Sequence, residues 1–441
     1  MRPFRPFDRA SDGPPPRALN VLVAWGLLNA TLGLYLFEDG LSVTAIWLLV
    51  AAALLTAFAL LGRGSRASRW QLEWVALGLL GSDMLVLAII PYRPFVPAPP
   101  GAIQAAAVVG LVGVAGSVAV RRLEVGLVVA ALAALAARAV VISIDAQPTF
   151  DVPFIQAAAG HAILSGENPY LTHIYVEGFP YWPFSAIAAA GGLLAGDARW
   201  ANVVADLVTA MSLLFIGDSI GMRRLGAVLG VLWLWSFAGL FMTWEGFPEP
   251  ILIALSAASV VALTRGRPRF AVAGLLVGLA IATKQFGLGL VAFMPFSGRD
   301  LRRTTLPVAV VTAAVCIVPF VLWDPNAFVN GSVVGLLHAS GREFALNLLE
   351  PLPGLVTRWH PPFIVAALAG LAAGALTRRA WPGSTTGWLA SSAMLLLVVF
   401  LFNEIAFVNY YQIVLGLLAC LVVASDVDAP GPIEASTEAG R

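Results

Sequence analysis

Apolar runs long enough to cross a bilayer recur along nearly all of this 441-residue chain, and that recurrence dictates its architecture. A helix needs about 20 mainly apolar residues to cross a hydrocarbon core of about 30 Å. Runs of that length, repeated from residue 18 to residue 424, describe an all-α, polytopic integral membrane protein. Composition agrees: 59% of residues are apolar, mean hydropathy is +0.86, and 12% are charged, against about 25% in soluble domains. A net charge of +1 gives no sign of a nucleic-acid partner. Cys316 and Cys420 both fall in apolar runs, which suggests neither a disulfide framework nor a zinc site.

The expected spans are 18–37, 41–61, 71–91, 103–120, 123–144, 200–220, 224–243, 250–264, 270–283 with 285–297, 304–323, 361–377, 386–402 and 405–424. Arginines fall in alternate gaps: before the first span, at Arg63/Arg66/Arg69, Arg121/Arg122, Arg223/Arg224, Arg265/Arg267/Arg269, Arg299/Arg302/Arg303 and Arg378/Arg379. The positive-inside rule makes those gaps cytoplasmic. The alternation stays in step only if the apolar stretch 181–196 lies along the outer face without crossing. It also requires 270–297 to cross twice, as two short helices turning near Lys284. About fourteen crossings follow, with both termini in the cytoplasm of a multi-pass cell-membrane protein. The run at 18–37 has no small-residue cleavage site after it and reads as a retained first span. The acidic, Ala/Gly/Pro-rich residues 425–441 read as a disordered cytoplasmic tail.

This arrangement sorts the polar residues. The outer side receives the long loops 145–199 and 324–360, which hold all four histidines (His161, His173, His338, His360). It also receives the acidic turn Trp244-Glu245-Gly246-Phe247-Pro248-Glu249 and the pair Asn403-Glu404. Cytoplasmic connections are short and basic, so an active site is expected outside. The histidines lack close ligand spacing, and no metal is expected. No internal repeat is evident.

One cation departs from the pattern. Positive charge here is carried by 25 arginines and a single lysine, Lys284, which sits between two apolar half-segments. An ammonium at mid-span costs about 2.5–3.5 kcal/mol on insertion scales, so its default reading is functional. The bland alternative is a side chain snorkelling from a helix end to the interface.

In the first outer loop, Asp151 and Pro153 precede apolar positions 154, 155, 158, 162 and 163, whose spacing predicts a short helix lying flat on the membrane. Gly166 would end that helix, and Asn168-Pro169-Tyr170 turns the chain back before Tyr181-Trp182-Pro183. Asp151 stands at the N-terminus of the helix, where the dipole favours negative charge. A plain N-cap accounts for it equally well.

An Asp followed by an Ala-rich helix, Gly166-Glu167-Asn168-Pro169-Tyr170 and then Tyr181-Trp182-Pro183 resembles the first outer loop of GT-C-type glycosyltransferases, above all bacterial polyprenyl-phosphate-mannose-dependent mannosyltransferases. The order continues through Ala205-Asp206-Leu207, the turn at 244–249 and Lys284-Gln285. The last pair is similar to the Lys-Gln of endoplasmic-reticulum glucosyltransferases that use dolichyl-phosphate glucose. The resemblance covers roughly 122–325, a GT-C-like catalytic core. Residues 1–121 are then a four-span N-terminal extension, and 326–424 an outer loop with C-terminal spans. Two departures stand out: the four additional spans, and an outer turn at 245–249 without the Gly-Gln-x-Asp/Asn common in relatives.

The resemblance implies transfer of a sugar, mannose as first choice, from a polyprenyl-phosphate donor to a glycan or glycolipid acceptor. It also implies inversion at the anomeric carbon and no cofactor. Such a transfer needs one base for the acceptor hydroxyl and cationic stabilisation of the departing phosphate. Asp151 is the expected base and Asp145 its rival, with Glu167 and Glu177 behind them. For the phosphate, Lys284 ranks first, Arg342 second for its bidentate fork, and Arg138 third. Arg342 reads equally as a solvated loop charge, and Arg138 as a snorkelling or interhelical partner. Gln285, Asn168, Tyr170, Tyr181, His338, Glu404 and Tyr411 complete the expected substrate-binding set. Tyr410 and Gln412 share the position of Tyr411, although a Tyr-Tyr pair at an interface also serves as an anchor. The sequence identifies no partner for the intramembrane acids Asp83 and Asp206. The competing class is a lipid or glycan transporter, and a catalytically inactive scaffold of the same fold is a third.

Overall fold

The computed structural model describes residues 17–37, 42–62, 67–90, 100–144, 150–174, 176–265, 269–334, 345–348, 363–403 and 406–425. Among the described residues the regular structure is helical apart from one two-residue hairpin, His173–Ile174 paired antiparallel with Val176–Glu177. Five helices open it: α1 (Ala18–Phe37), α2 (Val43–Leu61), α3 (Arg69–Ile89), α4 (Pro100–Ala119) and α5 (Leu123–Ile144). The outer loop contributes α6 (Val152–Ser165) and α7 (Pro183–Leu193). After it come α8 (Trp200–Ser219), α9 (Arg223–Trp235), α10 (Phe237–Trp244), α11 (Glu249–Thr264) and α12 (Phe270–Thr283). The remainder comprises α13 (Leu288–Val291), α14 (Leu306–Trp323), α15 (Pro325–Val329), α16 (Phe363–Ala380), α17 (Ser384–Leu401) and α18 (Val408–Ala424).

Among the described residues, eight helical segments are long and apolar enough to span a membrane, or nine if the bent pair α9–α10 is one span. The sequence pattern predicts about fourteen. Five expected spans fall outside that count: α11, α12, α16, α18 and the segment 285–297. With 16, 14 and 17 residues, α11, α12 and α18 reach only about 21–26 Å at 1.5 Å per residue. Helix α7, at 11 residues, is likewise too short to cross and packs on α6 and α8, in keeping with a stretch at 181–196 that does not cross.

Burial divides the helices into a hub and a rim. Every residue of α18 is buried, as expected of a helix apolar all round its circumference. It packs against α1, α11 and α17. By contrast α14 leaves Val310, Val311, Val315 and Leu322 exposed, an apolar surface suited to lipid. The N-terminal helices are joined to this hub. The Trp25 indole donates to the Leu415 carbonyl (3.1 Å), and α1 also touches α10. Close crossings use small residues: a Cβ on Gly226 of α9 would lie 2.4 Å from the Leu213 carbonyl oxygen of α8.

One expected single element is broken, and one expected break is present. The apolar run 224–243 bends by 50° at Ser236. Ser236 takes extended backbone angles, donates to the Trp233 carbonyl (2.8 Å) and accepts from the Gly239 amide (3.3 Å), closing α9 and capping α10. The second break lies at Lys284, where the sequence placed a turn. Past it the chain is a tight turn at Gln285–Gly287, then α13, then another at Met294–Phe296, not one regular helix.

Candidate functional site

The outer loop is organised from its own sequence. Pro153 lies in the first turn of α6, and Gly166 ends the helix at φ 72°, as its position in the sequence predicts. Asp151 occupies the N-cap position, yet its side chain makes no capping hydrogen bond. Its backbone carbonyl accepts the Ile155 amide (3.0 Å), which leaves the half-exposed carboxylate to other uses. Further on, Asn168 Oδ1 accepts from the Tyr170 amide (3.0 Å). The Tyr170 hydroxyl donates to the Tyr181 carbonyl (2.9 Å), and its ring lies against Phe179, Phe320 and Phe328. Burial pushes the Tyr170 phenol well above its ordinary range, so it stays a donor. Asn168 and Tyr170 thus shape the loop.

Lys284 stands where four elements meet. Helix α12 stops at Thr283, whose freed carbonyl accepts the Trp182 amide (3.3 Å) from the outer loop. Gln285 Nε2 donates to the Pro180 (3.0 Å) and Ser332 (2.7 Å) carbonyls, holding that loop over the break. The Lys284 ammonium donates to Glu249 Oε1, and Asn409 Nδ2 donates to the same oxygen at 2.5 Å. Among the described residues Glu249 Oε2 has no partner. The ammonium also faces three rings, 4.6 Å from the Tyr410 centroid, 5.1 Å from Tyr181 and 5.5 Å from Phe286. Position helps both charges. Glu249 is the first residue of α11 and Lys284 follows the last residue of α12, so each sits at the helix end whose dipole favours its sign. The two side chains are 0% and 3% exposed, so this is a buried pair and not a snorkelling anchor.

Contacts run from this pair to Asp151. Phe150, its chain neighbour, donates its amide to Glu245 Oε2 (3.0 Å) in the acidic turn. The Phe150 ring lies 5.2 Å from Phe407, two residues before Asn409. Gly246 adopts φ 63°, and a Cβ there would stand 3.2 Å from Pro153 Cα, so the turn seats directly on the start of α6. Arg199, at the entry to α8, pairs with Asp197 (2.8 Å) and donates to the Trp244 and Ile142 carbonyls, both at 3.3 Å. The structure therefore gathers the start of the loop, the acidic turn, the Lys284 break and the start of α18. Tyr181 belongs to this group. Tyr411 points elsewhere, donating to the Leu346 carbonyl (2.7 Å). Asp145, His338, Arg342 and Glu404 lie outside the described residues.

Arg138 is not available to a phosphate. It is 1% exposed, and its Nε donates to Asp206 Oδ2 at 3.0 Å. Its Nη1 donates to the Leu234 carbonyl at 2.5 Å, an acceptor that the break at Ser236 deprives of its helical donor. Asp206 also accepts from Trp233 Nε1 (3.0 Å) and Thr243 Oγ1 (3.2 Å), one on each side of the bend. This pair fastens the elbow of α9–α10 to α5 and α8. Asp83 too has a partner, the Asn29 amide at 2.8 Å.

Glu249 and Asn409 complete the Lys284 cluster, although neither stood among the expected site residues. Both are remote in sequence, 35 residues and 125 residues from Lys284. The only signals for them were the acidic character of the 244–249 turn and a polar side chain at the outer end of the last apolar run. No family model matches the chain, and no curated protein or solved structure matches it either.

Proposed function

We propose that the chain is a membrane glycosyltransferase. It moves a sugar, mannose as first choice, from a polyprenyl-phosphate donor to a lipid-linked or cell-envelope glycan acceptor on the extracytoplasmic face. The observation that carries the reading is Asp151, a carboxylate at a helix N-terminus that does not cap its helix. It adjoins the buried cluster built around Lys284 through Phe150 and Pro153. A side chain kept there without a structural task suits a base that takes a proton from an acceptor hydroxyl. In this reading Lys284 stabilises the departing phosphate. Donor phosphate replaces Glu249 as the nearest anion of the ammonium, and Asn409 keeps its hold on the displaced carboxylate. In this reading α16, the segment 285–297 and the shorter helices α11, α12 and α18 cross as well, giving fourteen crossings with both termini cytoplasmic.

The test is transfer from a panel of labelled polyprenyl-phosphate sugars to membrane lipid by the purified protein. Asp151→Asn should fold and lose transfer by a factor on the order of 10² or more. Wild-type turnover in Asp151→Asn, with collapse in Asp145→Asn, moves the base to Asp145. The competing reading, a lipid or glycan transporter, draws on the two interrupted segments at Ser236 and Lys284, since transporters bind substrates at broken helices. Movement of an unaltered lipid sugar across a proteoliposome, with no transfer product, would select it.

A further inference from the structure

Between α6, α7, the start of α8 and the acidic turn lies a narrow pocket that admits a group of about water size. Its apolar wall includes Pro153, Ala189 and Ile251, and its polar lining is Gln156, Ser185, Arg199 and Asn202. Three of those four are already engaged. Ser185 donates to the Trp182 carbonyl (3.0 Å). Arg199 is neutralised by Asp197, and Asn202 donates to the Met242 (3.1 Å) and Phe247 (2.9 Å) carbonyls. Gln156 is the exception. It is 4% exposed, and among the described residues neither its amide nitrogen nor its oxygen has a partner. Buried polar groups are nearly always satisfied, and leaving one bare is costly, so a fully orphaned amide facing a pocket points to an occupant.

We infer that this pocket is a binding site for a neutral hydroxyl-bearing group, a hydroxymethyl or single hydroxyl projecting from the acceptor, held by Gln156. A hydroxyl both donates and accepts, so it can satisfy Gln156 Oε1 and Nε2 together. The pocket offers no net charge for an anion, and its width excludes a whole sugar ring. Its location fits an acceptor, an assignment that rests on the transferase reading. Pro153 is two residues beyond Asp151, and Pro248 precedes Glu249, so the wall of the pocket adjoins in sequence both the proposed base and the carboxylate of the Lys284 cluster. Gln156 is then a specificity-determining residue.

The experiment needs no donor. In full-length protein carrying Cys316→Ser, Cys420→Ala and Ala198→Cys, alkylation of the pocket-lining cysteine by a small thiol reagent is timed with methyl mannoside or its 6-deoxy analogue present at high concentration. Methyl mannoside should slow the reaction about tenfold more than the analogue, the scale of one lost buried hydrogen-bond partner. Adding Gln156→Met, which keeps side-chain length and removes the amide, should erase that difference while the protein remains monodisperse. In turnover assays Gln156→Met should raise acceptor KM and leave donor KM unchanged. Equal protection of the parent protein by both probes, or a difference between them that survives Gln156→Met, overturns the site and reduces it to a buried water. If the discrimination holds while no donor supports transfer, the pocket stands and the transferase reading falls.

Discussion

Among the described residues two buried ion pairs cross between helices, and their carboxylates are finished to different degrees, although Arg138 Nη2 is itself without a partner. In the Arg138–Asp206 pair both carboxylate oxygens are engaged, by the guanidinium, an indole and a hydroxyl, and all lie deep between α5, α8 and the α9–α10 elbow. In the Lys284–Glu249 pair one oxygen takes both donors and the other takes none among the described residues, while the ammonium rests against aromatic faces. Breaking a buried pair is costly because it strands a charge. A carboxylate that is fully saturated has nothing left to offer a ligand. One held on a single edge, next to a compact ammonium on a flexible stem, can exchange partners. The first pair holds backbone at the elbow, and the second is the one that the proposed function would rearrange.

The largest expected effect breaks the first pair. Asp206→Leu strands Arg138 and should cost about 3–5 kcal/mol, read as lost expression or a collapsed thermal transition in detergent. The double change Arg138→Met with Asp206→Leu should recover most of that stability, because apolar replacement of a whole buried pair is often neutral. The contrast fails if the double variant unfolds as readily as the single one.

Lys284→Ala should behave differently. A charge-assisted contact is worth about 1.5–3 kcal/mol, so turnover should fall or donor KM rise by roughly tenfold to a hundredfold, with a smaller fall in thermal transition than Asp206→Leu because Asn409 still donates to the Glu249 carboxylate that the change strands. Lys284→Arg should rescue only partly, since a planar fork does not fit where a point charge sat. If Lys284→Ala instead unfolds the protein as Asp206→Leu does, both pairs are structural and the distinction disappears.

The smallest effect sharpens the second pair. Tyr410→Leu removes the nearest ring from the ammonium, a contact worth about 0.5–2 kcal/mol. Donor KM should rise about twofold to twentyfold with the thermal transition unchanged. An unaltered KM would show that Tyr410 merely fills space.

Much of this contrast was hidden in the sequence, for physical reasons. The break at Lys284 was legible because an ammonium is too costly to carry through lipid in the middle of an unbroken apolar helix. The alternation of arginines asks for a stretch before α8 that does not cross, and the 11-residue length of α7 agrees with it. The elbow at Ser236 was not, because 224–243 is uninterrupted, lacks proline, and carries a serine that becomes a cap only once the chain has bent. Arg138 could be read as an interhelical partner, but its acid could not be named, because Asp206 follows 68 residues later on a different helix, where periodicity carries no information. Glu249 and Asn409 escaped for the same reason, and the lengths of the shorter helices were not legible because an apolar run gives no warning of where its helix ends.

The pairing of Arg138 with Asp206 also bears on how the chain enters its membrane. Synthesis proceeds from the N-terminus, so α5 emerges with an unanswered guanidinium 68 residues ahead of the carboxylate that will meet it. At about 5–20 residues per second that interval lasts roughly 3–14 s. Over that interval α5 relies on the apolar length of its other residues to offset an insertion penalty of about 2.5–3.5 kcal/mol. The elbow cannot be fastened until α8, α9 and α10 have all arrived. The stretch from α5 to α10, outer loop included, therefore settles as one assembly unit, and truncation inside it strands a charge in lipid where truncation after it does not.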